Sequence, residues 1–447
     1  MRLTQIVILA SLLVFVIVGL IVKRSDRSSY SKFTMDRGQL GWFTIATGIS
    51  MTFAGGAAIL TTASVGYIFK WYSLVDPISI MIGILIVLFI YRKYEKDSGT
   101  TISDLLSSNH KGLKVLIGCI TSMTFILVVA ANFVALSKLL SPYFTSINPL
   151  LLTFIISTLV FSYVFLGGFK SVTRTDILQF LLIASLLIVP ILHFTIKNVE
   201  YMSVSSTTHV FLKMPIDYII LFSIPILFTP LSQDINLRIK SAKNSKQGKL
   251  GLLMGGLFYF SITLSVAFVG IYLGNHNFNI HDSEQAIPLF FMTHFPKVGF
   301  GAIIASLAAI VSTLDSYILN ATTSISNDII SPLSDVGKNV SGTIKIAALL
   351  TYVIAMAIAL FFNKILLLSL TSLLIYISVL TPIAIGNKMK LPGNKNFIGS
   401  IINITTIIIA ESFSFIIGPK ALVYPLFGCF VIFLLKIFDI IKTYEKI

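Results

Sequence analysis

Two carboxylates and a line of hydroxyls stand inside strongly apolar stretches of this 447-residue chain. Asp315 lies near the middle of the run from Ala305 to Asp328, and Asp176 lies one turn into another apolar run. A charge at a span centre costs at least about 2.5 kcal/mol on insertion scales, so it marks function by default. Around Asp315, a rotation of 100° per residue puts Ala309, Ser312, Thr313, Ser316, Asn320, Thr323 and Asn327 on one helix face. Sodium is a hard cation that takes oxygen ligands, so this stripe suits a helix lining an ion path. Hydrogen bonding between helices is its other use. Two bare carboxylates in a low-dielectric site repel, so Asp176 and Asp315 are expected to share a cation or a proton. A salt bridge to Arg174 is the remaining way to settle them. Asp76, just before Pro77, reads as a helix cap.

Other chemistries lack their parts. The six His are scattered, and Cys119 and Cys429 sit in apolar runs without a CxxC pair. A transition-metal site is not expected. No Ser/His or Cys/His constellation points to an enzyme, and no organic cofactor is called for.

The elements that must position these residues belong to a membrane. Hydrophobic residues make up 55% of the chain, charged residues only 11%, and the mean hydropathy is +0.92. Soluble chains carry about 25% charged residues. Soluble enzymes and nucleic-acid binders are therefore excluded, and the chain reads as an all-α polytopic protein whose surroundings are a lipid bilayer. Thirteen apolar segments are expected to span, at about 3–22, 41–68, 74–91, 115–140, 149–166, 174–195, 216–237, 250–273, 301–328, 346–363, 365–386, 396–417 and 421–438. The first lacks a cleavage site and is followed by Lys23, Arg24 and Arg27, so it reads as a retained anchor. With the N-terminus outside, 25 of the 33 Lys and Arg face the cytoplasm, Arg238 and Lys240 among them. This orientation puts the C-terminus inside and the protein in the plasma (inner) membrane.

Two spans carry breaks. Gly55-Gly56 interrupts the second span, and Pro225 and Pro230 interrupt the seventh. Glycine and proline both weaken a helix interior. The breaks lie five spans apart, so spans two to six and seven to eleven are expected to form an inverted pair, as in many secondary transporters. The expected division is 1–40 as an extra helix and loop, 41–195 and 196–386 as the two repeats, and 387–447 as two further helices with a short tail. A solute would sit between the breaks, with Ala57, Ala58, Asn132 and Phe228 as walls.

At this point the motifs show a resemblance. Gly167-Gly168-Phe-Lys-Ser171-Val172-Thr-Arg-Thr175-Asp176-Ile-Leu-Gln179 resembles the signature of the sodium:solute symporter family. Ala308-Ala309-Ile-Val-Ser312-Thr313-Leu-Asp315-Ser316 is similar to a second family segment, and Gln233…Arg238 to a third. The resemblance covers about residues 30–440. It implies a leucine-transporter (LeuT)-like 5+5 inverted repeat with about 13 transmembrane helices, and sodium-coupled alternating access. It implies a main sodium site with carbonyls near Phe53 and Gly56, the Ala309 carbonyl, and the Ser312 and Thr313 hydroxyls. Positions 309, 312 and 313 are spaced i, i+3 and i+4, so they reach one point on a helix face. A second sodium site would use Asp176, Asp315 and Ser316. The cargo would be sodium with a small solute: an amino acid, a monocarboxylate or a pantothenate-like molecule. Proton coupling and a non-transporting receptor are the alternatives. Sugar and proline carriers of the family hold polar or acidic residues in the first broken helix. Here Gly55 to Leu60 carries no charge, which argues against a direct copy of either site. No obligate protein partner is evident.

Overall fold

A computed structural model describes residues 30–188, 191–192, 216–276, 278–295, 300–333, 340–413 and 423–444, with scattered positions between 5 and 17. Helices dominate: the described residues hold no strand beyond a single bridge between Leu40 and Ala242. We label the longer helices α1 to α16 in chain order.

The first broken helix is α1 (Trp42–Phe53) and α2 (Gly56–Phe69). A 3-10 turn leads to α3 (Val75–Lys96), followed by α4 (Lys111–Leu140), α5 (Pro149–Gly167) and α6 (Phe169–Ile183). A second interrupted helix then begins: α7 (Ile216–Phe222), α8 (Pro225–Leu231) and α9 (Gln233–Ser241). After it come α10 (Ser245–Asn275), the short α11 (Ala286–His294), α12 (Phe300–Thr323), α13 (Val340–Phe361) and α14 (Ile365–Lys388). Two more, α15 (Gly393–Phe413) and α16 (Val423–Tyr444), close the order. An interrupted helix followed by four long ones thus occurs twice.

Seven helical runs among the described residues are long and apolar enough to cross a membrane. One of them, Ala58–Lys96, takes in parts of two expected spans. The helices α5 and α16 hold shorter apolar runs, Pro149–Ser162 and Pro425–Ile437. The expected span 3–22 falls largely outside the described residues.

The second break differs from its simple reading. Pro225 is the first residue of α8, where its missing N–H costs nothing. The chain breaks again at Ser232, whose ψ of 127° is extended. Beyond it, α9 does not emerge as a loop, and all nine of its residues are buried.

The centre of the fold is α12. From Gly301 to Thr323 every residue but Ile304 is buried, against α4, α6 and α13. Elsewhere, α10 lies on both halves of the first broken helix. Small residues make this approach possible. A Cβ at Gly251 would come 2.6 Å from the Ile45 Cβ, and one at Gly255 would come 2.9 Å from the Ile49 Cβ. At Gly270 a Cβ would run into the Ala63 carbonyl and lie 2.8 Å from the Tyr67 nitrogen, which is backbone and cannot swing aside. Gly270→Leu is therefore expected to cost about 3 kcal/mol or more by forcing α10 off α2. The check is the melting temperature of the purified protein. An unchanged value would show that this contact does not hold the helices.

Candidate functional site

The site is built where α1 ends. The last carbonyls of a helix have no partner within it. Here the Ala54 N–H takes the Ser50 carbonyl, and the chain then leaves the helix. The Thr313 hydroxyl of α12 donates to the Met51 carbonyl at 2.9 Å and reaches the Thr52 carbonyl at 3.3 Å. So α12 is joined to the α1 terminus by oxygen atoms. Those atoms, at the negative end of a half-helix, are the kind that coordinate a monovalent cation in transporters.

The Gly-Gly pair serves this approach. Gly55 has φ −76° and ψ −170°, a backbone open to any residue. What it lacks room for is a side chain: a Cβ would lie 2.7 Å from the Thr313 Cβ. Gly56 meets Ala135 and Ile310 in the same way. The glycines let α12 and α4 close on the break.

Among the sequence-derived ligands, the structure sorts as follows. Thr313 meets the end of α1 at Met51 and Thr52, upstream of the expected Phe53 and Gly56 by two and four residues. The Gly56 N–H is taken by Asn132 Oδ1 at 2.9 Å, while Asn132 Nδ2 donates to the Val128 carbonyl at 2.8 Å. Ala309 is fully buried one turn before Thr313 on α12. Ser312 does not point with Thr313 to one spot. Its hydroxyl donates to Asp176 Oδ1 at 2.5 Å.

Asp176 has a partner that sequence reasoning missed. Its Oδ2 is 3.2 Å from Arg238 Nη2, and Arg238 Nε is 2.8 Å from Asp234 Oδ2. The same Nη2 donates to Thr52 Oγ1 at 3.1 Å, and Thr52 Oγ1 is 3.1 Å from Ser316 Oγ. Arg238 and Asp176 are 0% exposed. Gly48 makes the space, because a Cβ there would overlap the guanidinium. The earlier assignment of Arg238 to a cytoplasmic loop is thus corrected: it is a buried cation linking α1, α6 and α9. Arg174, the expected salt-bridge partner, is exposed. The signal was available in Asp234 and Arg238, an i, i+4 pair of opposite charge on one helix face. Lys240, likewise counted with the loop charges, is buried and lies 2.5 Å from Asp97. Ser316 joins this network through Thr52, and Asp315, next to it on α12, is buried.

Above the break lies a cavity of about 100 Å³. Thr52, Phe53, Gly55 and Thr313 line it, so its wall includes the residues at the α1 terminus. Ala58, Asn132 and Phe228, three of the expected solute contacts, line it as well. Ala57 belongs to the first turn of α2, and its side chain lies outside the described residues. Asp76 also lines the cavity. It does not cap α3: the N-cap is Leu74, without a side-chain hydrogen bond. Instead, Asp76 Oδ2 accepts the Tyr259 hydroxyl at 3.0 Å.

Asn132 is the hinge pin of this wall, since it closes the open N-terminus of α2. Asn132→Ala would leave a buried N–H unpaired, at an expected cost of about 1–3 kcal/mol. Faster amide exchange at Gly56 and Ala57 would report it. Unaltered protection there would place the cap elsewhere.

The chain is similar to several known transporters. The sodium/sialic acid symporter NanT of Aliivibrio fischeri (strain ATCC 700601 / ES114) is 25% identical over 350 residues, covering 71% of this chain and 68% of that protein. A substrate-bound, outward-open structure of a Na+-coupled sialic acid symporter superposes with a TM-score of 0.72 at 18% identity, covering 97% and 96% of the two chains. Mhp1, a nucleobase-cation-symport-1 family transporter, follows at TM-score 0.58 and 14% identity, covering 92% and 94%. A manganese transporter of Eremococcus coleocola gives 0.55 and 12%, covering 91% and 95%. These structures share the fold of the chain. The model of the sodium:solute symporter family matches residues 33–385, nearly all of the segment from the first broken helix through α14, and the chain belongs to that family.

Proposed function

We propose that the chain carries a small organic solute across a membrane by alternating access, driven by sodium moving down its gradient. One observation carries this reading: Thr52 and Thr313 stand both at the oxygen-rich end of α1 and in the wall of the cavity. A cation held there would fix the carbonyls of α1 against α12 and so shape the place where a solute sits. That is a differential interaction, which is what coupling requires. The ion's ligands on this reading are the Met51 and Thr52 carbonyls and the Thr313 hydroxyl. Ala309, Ser312 and the carbonyls around Phe53 and Gly56 are the neighbouring donors. Asp176, Asp315 and Ser316 are the residues of a second cation position, one in which Arg238 already supplies a fixed charge.

The two repeats, 41–195 and 196–386, rock about this centre. The N-terminus lies outside, the C-terminus in the cytoplasm, and the membrane is the plasma (inner) membrane. The test is uptake into proteoliposomes under a sodium gradient, using solutes that first raise the protein's melting temperature, since a ligand of the folded state stabilises it. Accumulation that stops when sodium is replaced by potassium supports the proposal. Equal uptake in potassium would overturn sodium coupling, and a bound solute that is never accumulated would favour a receptor.

A further inference from the structure

Among the described residues, the cavity wall carries one carboxyl group and no base. Asp76 lines it, and no Lys, Arg or His does among the described residues. Among the described residues, no ion pair includes Asp76. Its hydrogen-bond partner, Tyr259, is a neutral donor on another helix that holds only Oδ2. The remaining wall is rich in aromatic rings: Phe53, Phe222, Phe228, Tyr259 and Tyr317. Phe53 and Tyr259 meet edge to face, with centroids 5.9 Å apart. Ring faces attract cations through their quadrupole, and an aromatic enclosure with one carboxylate is how proteins hold ammonium groups.

From this juxtaposition we infer that the transported solute carries a positively charged nitrogen, protonated or quaternary, which pairs with Asp76 and packs against the surrounding rings. The inference rests on the reading of the cavity as the solute site and narrows it. Amines and zwitterions fit. A solute whose only charge is a carboxylate does not: it would bring a second negative charge beside Asp76 with no basic side chain to meet it. The sialic acid of the related symporters is such an acid. The chain therefore departs from those relatives in its cargo.

Lys138 pairs with Asp282 and Glu284, Lys114 and Thr101 meet Asp328, and Arg238 pairs with Asp176 and Asp234, so each of these charges already has an opposite partner. Asp76 faces the cavity beside the α1 terminus with no ion pair among the described residues.

The experiment uses paired probes with and without a charged nitrogen, the first pair isosteric, on the full-length protein in sodium. Choline is compared with 3,3-dimethylbutan-1-ol, its neutral isostere, and L-proline with N-acetyl-L-proline. N-acetylneuraminate is the anionic probe. At about 10 mM, at least one cationic probe is expected to raise the melting temperature, with its neutral or anionic counterpart roughly tenfold weaker or absent. Asp76→Asn should erase the preference for charge, and Asp76→Glu should keep it. Melting of the unliganded variants checks that both fold. If Asp76→Asn does not fold, the comparison of isosteres on the unaltered protein decides alone. Stabilisation by N-acetylneuraminate in preference to the cations would overturn the proposal. So would equal response to both members of each pair, no response to any cationic probe, or an unchanged preference in Asp76→Asn. Cation binding without sodium-driven uptake would leave this inference standing and overturn the symporter reading. Sodium-driven uptake of carboxylates alone would do the reverse.

Discussion

Replacing Arg238 with methionine is expected to abolish solute uptake and to lower stability by about 3–5 kcal/mol, the usual cost of removing one partner from a buried ion pair. The guanidinium lies between Asp176 and Asp234 and also donates to Thr52. Without it, two buried carboxylates face each other with no cation between them. The outcome can be separated from simple loss of packing. A triple variant, Arg238→Met with Asp176→Asn and Asp234→Asn, removes the charges together and is expected to recover most of the lost stability. Replacing a whole buried charge group by neutral residues is often close to neutral. Uptake should stay lost in the triple variant, since Arg238 and Asp176 tie α1, α6 and α9 at the end of α1. Melting curves and proteoliposome uptake read the two effects. A single variant as stable as the unaltered protein would mean that the cluster is not the lock described here.

The second large effect is expected at Thr313. Thr313→Ala removes the hydroxyl that meets the Met51 and Thr52 carbonyls. The sodium concentration for half-maximal uptake should rise at least about tenfold, equivalent to 1.4 kcal/mol of lost ion binding. Ser312→Ala should do less, because its hydroxyl is given to Asp176. The ranking matters: sequence spacing treats both as equal ligands, whereas their observed partners differ. Unchanged sodium dependence in the double variant would remove both residues from the ion site.

The features legible in the sequence were those set by local chemistry. Gly55-Gly56 and Pro225 mark places where a helix cannot continue unperturbed, and the chain breaks at or beside them. Ala58, Asn132 and Phe228 were placed near the breaks and meet in one cavity. What the sequence hid depends on contacts between distant elements. Arg238 follows an apolar run and precedes Lys240, Lys243 and Lys246, so charge counting sends it to a loop. Only the space left by Gly48, far away in the chain, admits it to the interior. Asp76 beside Pro77 looks like a cap, because nothing local announces that Tyr259 will reach it. The glycine pair reads as a helix break, and its observed use is also to admit the Thr313 side chain. Which carbonyls of α1 meet Thr313 was likewise out of reach, as it depends on how far α12 slides along α1.

Equilibrium binding of radioactive sodium to the full-length protein tests the central claim most directly, because it needs no knowledge of the solute. Binding is expected to be saturable, displaced by excess sodium but not by potassium, and weakened at least about tenfold in Thr313→Ala. Binding of sodium with the same affinity in Thr313→Ala, or no saturable binding to the unaltered protein, would contradict it.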